Sequence, residues 1–226
     1  HISFTGSPQT GTAVAKAAAD NQIPVTLELG GKSPQVIFED ADLDEALPVI
    51  VNAIVQNAGQ TCAAGSRVLI QKSIYDKVMA ELAKRFSALE TGAGCDDLDC
   101  GPIISAKQLD RVKSLVDAAI EAGANVVARA GMAGNAPEGG YFYPPLLLDG
   151  AAHESRLAQD EVFGPVLAAF PFEDEADAIR LANGTPYGLT ASVWTRDGGR
   201  QMRCAHAIEA GQVFINNYGA GGGIDG

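Results

Sequence analysis

Two residues of this chain could carry covalent chemistry, and glycines flank both of them. Cys62 lies in the segment Gly59-Gln60-Thr61-Cys62, and Glu28 lies just before Gly30-Gly31. An ionised thiol forms covalent intermediates, and a carboxylate can activate the water that later breaks them. Glycine lets the backbone approach a ligand closely. The pair therefore predicts an active site that works through a covalent intermediate.

The local sequence places each of these residues at the end of an element. Residues 49–58 are apolar with helical spacing, and Gly59 is predicted to end that helix. Cys62 then lies in a tight turn, where its backbone N–H is available to an oxyanion; a small buried hydrophobic residue is the alternative role. Glu28 ends an apolar strand, where burial would strengthen a carboxylate as a base. A structural ion pair is the alternative for Glu28.

Two further motifs could bind a cofactor. Thr5-Gly6-Ser7 joins a strand to a helix N-terminus, which is a ready anion site. Its spacing differs from G-x-G-x-x-G, so an ordinary turn is the alternative. Glu161 and Phe163 are two apart in an extended stretch, so their side chains are expected to point the same way. They could bind a ribose and flank a flat ring; an exposed Glu beside a core Phe is the alternative.

The elements that must position these residues alternate between strand and helix. Strands are predicted at residues 2–4, 24–29, 35–38, 67–71, 126–127, 166–170, 189–195 and 212–216, and an extended segment at 141–148. Helices are predicted at residues 12–20, 42–54, 75–89, 109–122, 173–183 and 199–210, and a loop at 131–140. This alternation predicts an α/β fold with a mostly parallel sheet flanked by helices.

Composition narrows the function classes. The chain has 226 residues, 46% of them hydrophobic, which predicts a substantial core. A net charge of -12 argues against nucleic acid as the main partner. No apolar run is long enough to cross a membrane. The four cysteines favour a reducing compartment, the cytoplasm, and Cys95 and Cys100 are interpreted as small semi-buried thiols and not as a bridge or zinc site.

Six motifs occur in the same order as those of a known family. They are Phe4-Thr5-Gly6-Ser7, Leu27-Glu28-Leu29-Gly30-Gly31-Lys32-Ser33-Pro34, Gly59-Gln60-Thr61-Cys62, Glu161-Val162-Phe163-Gly164-Pro165, Pro186-Tyr187-Gly188-Leu189 and Gly211-Gln212-Val213-Phe214-Ile215-Asn216. Together they resemble the successive motifs of the aldehyde dehydrogenase superfamily, over nearly the whole chain. The resemblance implies oxidation of a small-molecule aldehyde to a carboxylate through a cysteine thioester.

The resemblance assigns roles residue by residue. It implies that Cys62 is the nucleophile and Glu28 the general base, and that Asn216 is a structural position close to the site. The presence of Glu28 favours hydrolysis of the thioester over its transfer to coenzyme A.

The resemblance also implies a cofactor, either NAD or NADP. Gly6 and Ser7 match the turn near the pyrophosphate, and the backbone of Leu29 matches the partner of the nicotinamide carboxamide. Glu161 matches the residue that binds the nicotinamide ribose, and Phe163 matches the aromatic residue beside the ring.

The chain starts at His1 and stops at Gly226 in the middle of the family pattern, so we interpret it as a segment of a longer polypeptide. Residues 1–30 resemble the end of the dinucleotide-binding domain, a βαβ remnant, and residues 31–226 resemble a catalytic domain that is truncated at its C-terminal end. Most of the dinucleotide fold is upstream sequence in the family. The segment alone is therefore expected to have little dehydrogenase activity, and the full-length protein is expected to be a homo-oligomer.

Two other functions remain open on the residues alone. A cysteine acyl-transferase or hydrolase would use the same thiol without a redox step, but it usually needs a histidine beside it. His1, His153 and His206 lie in no such context. The second alternative is a non-catalytic segment that retains the fold.

Overall fold

Strands and helices alternate along the computed structural model, which describes residues 1–219. The strands are β1 (Ile2–Thr5), β2 (Val25–Glu28), β3 (Pro34–Ile37), β4 (Arg67–Gln71), β5 (Glu90–Thr91), β6 (Asn125–Arg129), β7 (Gly131–Met132), β8 (Leu146–Asp149), β9 (Val166–Phe172), β10 (Thr190–Trp194) and β11 (Gln212–Ile215). The α-helices are α1 (Pro8–Asp20), α2 (Leu43–Val55), α3 (Tyr75–Ala88), α4 (Ala106–Glu121), α5 (Arg156–Gln159), α6 (Glu175–Ala182) and α7 (Gly198–Ala207). Residues 220–226, the glycine-rich end of the predicted catalytic domain, lie outside the described residues.

Seven strands form the main sheet, in the order β11-β10-β3-β4-β9-β8-β6. Every neighbouring pair is parallel except β6 and β8, which are antiparallel. The central strands are mostly apolar and are buried along almost their whole length, as parallel strands covered on both faces require. The predicted α/β fold with a mostly parallel sheet flanked by helices is confirmed.

The N-terminal βαβ unit forms a sheet of its own. β1 pairs with β2 in parallel, and α1 connects them. The helix begins at Pro8, four residues earlier than predicted, because the Ser7 side chain accepts a hydrogen bond from the backbone N–H of Thr10 at 3.3 Å. A proline at the first helical position suits such a start, since its missing N–H would be unpaired there anyway. The domain division near residue 30 remains a prediction.

The helix before Cys62 is shorter than predicted. We expected it to continue to Gly59, but α2 ends at Val55. Asn57, Ala58 and Gly59 then adopt left-handed backbone angles, with φ of 51°, 52° and 67°. A left-handed run cannot continue a right-handed helix. The chain therefore turns away four residues early and approaches Cys62 through a tight turn.

Smaller departures follow from local pairing and capping. Residues 131–140 were predicted to be a loop, but β7 lies at their start and pairs with β5 in a small parallel sheet. α6 begins at Glu175 because the Asp174 carboxylate accepts a hydrogen bond from the N–H of Asp177 at 2.9 Å and caps the helix.

Several sequence expectations concern features outside the sheet. Within residues 1–219 no helix is long and apolar enough to span a bilayer. Across the same residues, no group of three or more His, Cys, Asp or Glu side chains is arranged to hold a metal ion. The four cysteines are free thiols, with Cys95 exposed and Cys100 buried.

Candidate active site

A cleft of about 840 Å³ separates the N-terminal βαβ unit from the main sheet. Its walls come from the β1–α1 turn, the segment after β2, the turn before β4, the N-terminal half of α4 and the segment before β9. Six of the seven predicted site residues line it: Gly6, Ser7, Leu29, Cys62, Glu161 and Phe163. Segments more than 150 residues apart in the chain therefore meet at one cavity.

Cys62 lies in the cleft wall with its side chain half-buried. Its turn is held by two backbone hydrogen bonds of 3.0 Å, from the N–H of Ala64 to the Thr61 carbonyl and from the N–H of Gly65 to the Ala53 carbonyl. The alternative role as a sealed core residue does not fit this position. The thiol is open to a ligand in the cleft, as a nucleophile requires.

Two glycines let the neighbouring motifs approach the Cys62 turn. A Cβ on Gly31 would lie 2.3 Å from the Cys62 carbonyl oxygen, which is closer than real Cβ contacts allow. A Cβ on Gly59, which already has a left-handed φ of 67°, would lie 2.2 Å from the Gly164 carbonyl oxygen. Larger residues would push these segments apart. The close backbone contacts explain why glycine is needed at both positions.

Glu28 lies elsewhere than expected. We expected a buried carboxylate, but along β2 Val25 and Leu27 are half-buried while Thr26 and Glu28 are exposed. Alternation along the strand puts Glu28 on the uncovered face of the two-stranded sheet. Its side chain lines a second depression of about 470 Å³.

The two cavities share part of their walls. Pro8, Gln9, Leu29, Gly30 and Tyr187 line both of them. Glu28 is therefore next in sequence to Leu29, which belongs to the wall that the two cavities share. Among the described residues, Glu28 lines this depression and does not line the Cys62 cleft.

Glu161 connects the cleft to the segment after β2. Its carboxylate Oε1 accepts a hydrogen bond from the N–H of Gly31 at 3.2 Å. Burial raises the pKa of the Glu161 carboxyl, and the bond from Gly31 and the charge of Lys32 act in the opposite direction. The expected alternative, an exposed Glu beside a core Phe, is not found, since both side chains are half-buried in the cleft wall.

Two residues that the sequence analysis missed hold the segment that carries Glu161 and Phe163. The Gln108 side-chain amide donates to the carbonyls of Val162 and Phe163 at 3.0 and 2.9 Å, and Arg111 donates to the Glu161 carbonyl at 2.8 Å. This clamp supports Phe163 in a left-handed conformation with φ of 56°. Gln108 and Arg111 are one helical turn apart, which is the only sequence signal for their shared role.

The β1–α1 turn is connected to the strand that carries Glu28. The N–H of Gly6 donates to the Glu28 carbonyl at 3.0 Å. Gly6 and Ser7 line the cleft at the N-terminus of the 13-residue helix α1, where the partial positive charge of the helix favours an anion.

Asn216 has a structural role in the described residues. Its side-chain amide exchanges two hydrogen bonds of 3.0 Å with the backbone of Thr195 and so joins the ends of β10 and β11. It does not line the cleft. That Asn216 is a structural position close to the site stays a prediction.

Lys32 is a buried cation that the sequence analysis did not single out. Its side chain is only 2% exposed, and its Nζ has no hydrogen-bond partner among the described residues. Burial, with a contribution from the nearby charge of Arg67, lowers the pKa of Lys32 to about 7. Arg67 itself is held by the carbonyls of Lys32, Leu181 and Ala182.

Lys32 makes the free energy of unfolding depend on pH. Its pKa rises from about 7 in the folded chain to the ordinary 10.5 on unfolding, so between these values the unfolded state binds the extra proton and stability rises with pH. Below pH 7 the native state carries the full penalty of a buried ammonium ion. We expect Lys32→Met to be more stable than wild type at pH 6, by about 3 to 5 kcal/mol.

Urea unfolding at pH 6 and pH 9 checks this expectation. The advantage of Lys32→Met should shrink by about 2 to 3 kcal/mol over that interval. The matched control is Lys16→Met, which removes an exposed lysine on α1 and should leave the pH profile unchanged. If the free energy of unfolding changed equally with pH in wild type and Lys32→Met, Lys32 would have an ordinary pKa.

Comparison with known proteins identifies relatives of this fold and site. A sequence profile described as "Aldehyde dehydrogenase family" matches residues 1–223. The betaine aldehyde dehydrogenase of Bacillus subtilis is 40% identical over 220 residues, which are 96% of this chain and 45% of the relative.

Solved structures agree with the sequence comparison. A candidate aldehyde dehydrogenase from Burkholderia cenocepacia superposes with a TM-score of 0.97 at 59% identity, covering 100% of this chain and 47% of that one. The betaine aldehyde dehydrogenase of Staphylococcus aureus in complex with NAD+ superposes with a TM-score of 0.89 at 38% identity, covering 96% and 44%. The chain thus spans less than half the length of these relatives.

Proposed function

Because the chain belongs to the aldehyde dehydrogenase family, we propose that the polypeptide that carries it oxidises an aldehyde to a carboxylate with NAD or NADP. The observation that carries this proposal is the position of Cys62. Its thiol is half-buried in a cleft of about 840 Å³, on a turn that the backbone at Gly31 approaches closely.

The residues present fit a nicotinamide dinucleotide. The cleft lies within the size range of small-molecule and cofactor sites. We propose that the N-terminus of α1, with Gly6 and Ser7, binds the pyrophosphate, and that Glu161 binds the nicotinamide ribose. Leu29 and Phe163 complete the nicotinamide side. When bound, the cofactor supplies the oxidising equivalent by accepting a hydride from the substrate.

In the proposed reaction the Cys62 sulfur forms a bond to the aldehyde carbon. The carbonyl oxygen gains negative charge, and the backbone N–H of Cys62 can donate to it. Once the carbon has reached the oxidation level of an acid, Cys62 holds it as a thioester. The half-buried position of the thiol limits its exposure to water during this stage.

The thioester is then hydrolysed in the proposed reaction, and Glu28 acts as the base. Glu28 takes a proton from water, the water oxygen bonds to the carbonyl carbon, and the carbon–sulfur bond breaks to release the carboxylate and the Cys62 thiolate. The depression that Glu28 lines shares Leu29, Gly30 and Tyr187 with the cleft. That shared wall supports the assignment because it places the two cavities side by side.

The alternative function, a cysteine acyl-transferase or hydrolase, lacks the histidine that it usually needs beside Cys62. His153 lies beside Arg67 and the Leu181 carbonyl, and none of His1, His153 and His206 lines the cleft. Burial lowers the pKa of His153 and favours its neutral form. The described lining of the cleft therefore offers no histidine to pair with Cys62.

Cofactor choice, oligomeric state and location are finer parts of the proposal. We propose NAD ahead of NADP because the Staphylococcus aureus relative is described in complex with NAD+. We further propose a cytoplasmic homo-oligomer for the complete natural polypeptide, in keeping with the four cysteines of this chain and the resemblance of its motifs.

The test is a cofactor titration followed by an aldehyde panel on the complete natural polypeptide. We expect saturable binding of NAD+ or NADP+, reduced cofactor in proportion to aldehyde consumed, and a carboxylate as product. Thioester or ester turnover that needs no dinucleotide would favour the acyl-transferase or hydrolase. Absence of both cofactor binding and turnover would favour the non-catalytic segment.

A further inference from the structure

Three buried hydroxyl groups from distant segments meet behind the Cys62 turn. The Oγ of Ser33, just before β3, lies 2.8 Å from the Oγ1 of Thr190 at the start of β10. Thr190 Oγ1 lies 2.9 Å from the hydroxyl of Tyr218, which follows β11. The Tyr218 hydroxyl in turn donates a short hydrogen bond to the carbonyl of Ala63. All three side chains are buried.

One proton of this chain of hydroxyls has a fixed position. A backbone carbonyl only accepts hydrogen bonds, so the Tyr218 proton is committed to Ala63. The Tyr218 oxygen is then an acceptor, and the hydroxyls of Thr190 and Ser33 both interact with it. Donors to the Tyr218 oxygen polarise its O–H, which strengthens the bond to Ala63. Burial raises the pKa of the Tyr218 hydroxyl, so it stays protonated and able to donate.

The chain of hydroxyls ends next to the nucleophile. Ala63 directly follows Cys62, and its carbonyl is held by Tyr218 while the Cys62 carbonyl lies against Gly31. Consecutive peptide groups of the turn are thus restrained from two sides. Since peptide groups are rigid planes, holding these two carbonyls fixes the position of the Cys62 Cα. The plane that carries the Cys62 N–H is held separately, because the Thr61 carbonyl accepts a hydrogen bond from the N–H of Ala64 at 3.0 Å.

We propose that Tyr218 is a positioning residue whose hydroxyl holds the Cys62 turn in its reactive geometry through the Ala63 carbonyl. It touches neither the substrate nor the cofactor site, since it does not line the cleft. The catalytic consequence rests on the proposed function, but the ordering of the turn does not.

The test is Tyr218→Phe in the complete natural polypeptide. The substitution removes the hydroxyl and retains the ring, which packs against Phe214 with ring centroids 5.6 Å apart. We expect amide hydrogen exchange in residues 60–66 to become at least about 10-fold faster, because the turn opens more often. We expect kcat to fall about 10- to 100-fold while the KM for aldehyde stays within about 2-fold, because the turn is misplaced rather than the pocket.

The matched control is Ser192→Ala, which removes another buried hydroxyl from β10. Ser192 Oγ accepts a hydrogen bond from the Trp194 indole at 3.1 Å, and within residues 1–219 its side chain makes no hydrogen bond to the Cys62 turn. We expect Ser192→Ala to leave both the exchange of residues 60–66 and kcat near wild type.

Two results would overturn the proposal. One is equal exchange of residues 60–66 in Tyr218→Phe and Ser192→Ala, and the other is faster exchange with an unchanged kcat. Hydrogen exchange needs neither aldehyde nor cofactor, so it decides whether Tyr218 orders the turn even if the wild type oxidises no aldehyde. If Tyr218→Phe does not fold, Thr190→Val replaces it as the test, because it removes the hydroxyl that donates to Tyr218. We expect Thr190→Val to speed the amide exchange of residues 60–66 and to lower kcat.

Discussion

Replacing Cys62 by serine is expected to lower aldehyde oxidation on the order of 10³-fold or more. A serine hydroxyl in the same turn is a far weaker nucleophile than a thiol, and no histidine that could activate it lines the described cleft. Substrate and cofactor binding should survive, because the substitution changes one atom. The measurements are the pre-steady-state burst of reduced cofactor and the intact mass of the acyl-enzyme, both of which should disappear.

The chain offers a matched control for this substitution. Cys95 is an exposed free thiol outside the cleft, so Cys95→Ser should keep wild-type burst amplitude and steady-state rate. A normal burst in Cys62→Ser would show that another group attacks the aldehyde, and it would remove the basis of the proposed mechanism.

The second large effect is expected from Glu28→Gln, which keeps the size of the side chain and removes its basicity. If Glu28 activates the hydrolytic water, the burst should persist while the steady-state rate falls about 10²- to 10⁴-fold. The thioester on Cys62 should then accumulate and be visible by intact mass. Added hydroxylamine, which attacks thioesters without a general base, should release the acyl group as a hydroxamate.

Glu121→Gln is the control for Glu28→Gln, because Glu121 is an exposed carboxylate at the end of α4, away from both cavities. It should behave as wild type. Hydrolysis at the normal rate in Glu28→Gln would sink the general-base assignment. It would also agree with the exposed position of Glu28 on β2, in which case water would reach the thioester by another route.

The element pattern was predictable because it depends on near neighbours in the sequence. Apolar runs at strand spacing and helical spacing predicted the main sheet and most of its helices within a few residues. The predicted helix boundaries are wrong where a capping side chain or a left-handed backbone segment decides where the helix begins or ends. Ser7 starts α1 early through its bond to Thr10, and the left-handed run at Asn57 ends α2 early.

The cleft was predictable only in part. Glycine-bounded motifs indicated Cys62, Gly6 and Glu161, because close backbone approach leaves a signature in residue type. Gln108 and Arg111 have almost no such signature in the sequence, since their role is to hold carbonyls of a segment about 50 residues away. Polar residues on a helix face are otherwise read as a solvated surface.

By itself, the sequence determined the alternation of strands and helices, the glycine-flanked nucleophile and the motifs by which the family is recognised, because each of these depends on residue types a few positions apart. Only the tertiary structure decided which side chains are covered. It exposes Glu28 on an uncovered strand face, buries Lys32 without a partner and brings Tyr218 to Ala63 across 155 residues. Burial and contact between distant segments arise from packing the whole sheet, and no local pattern records them.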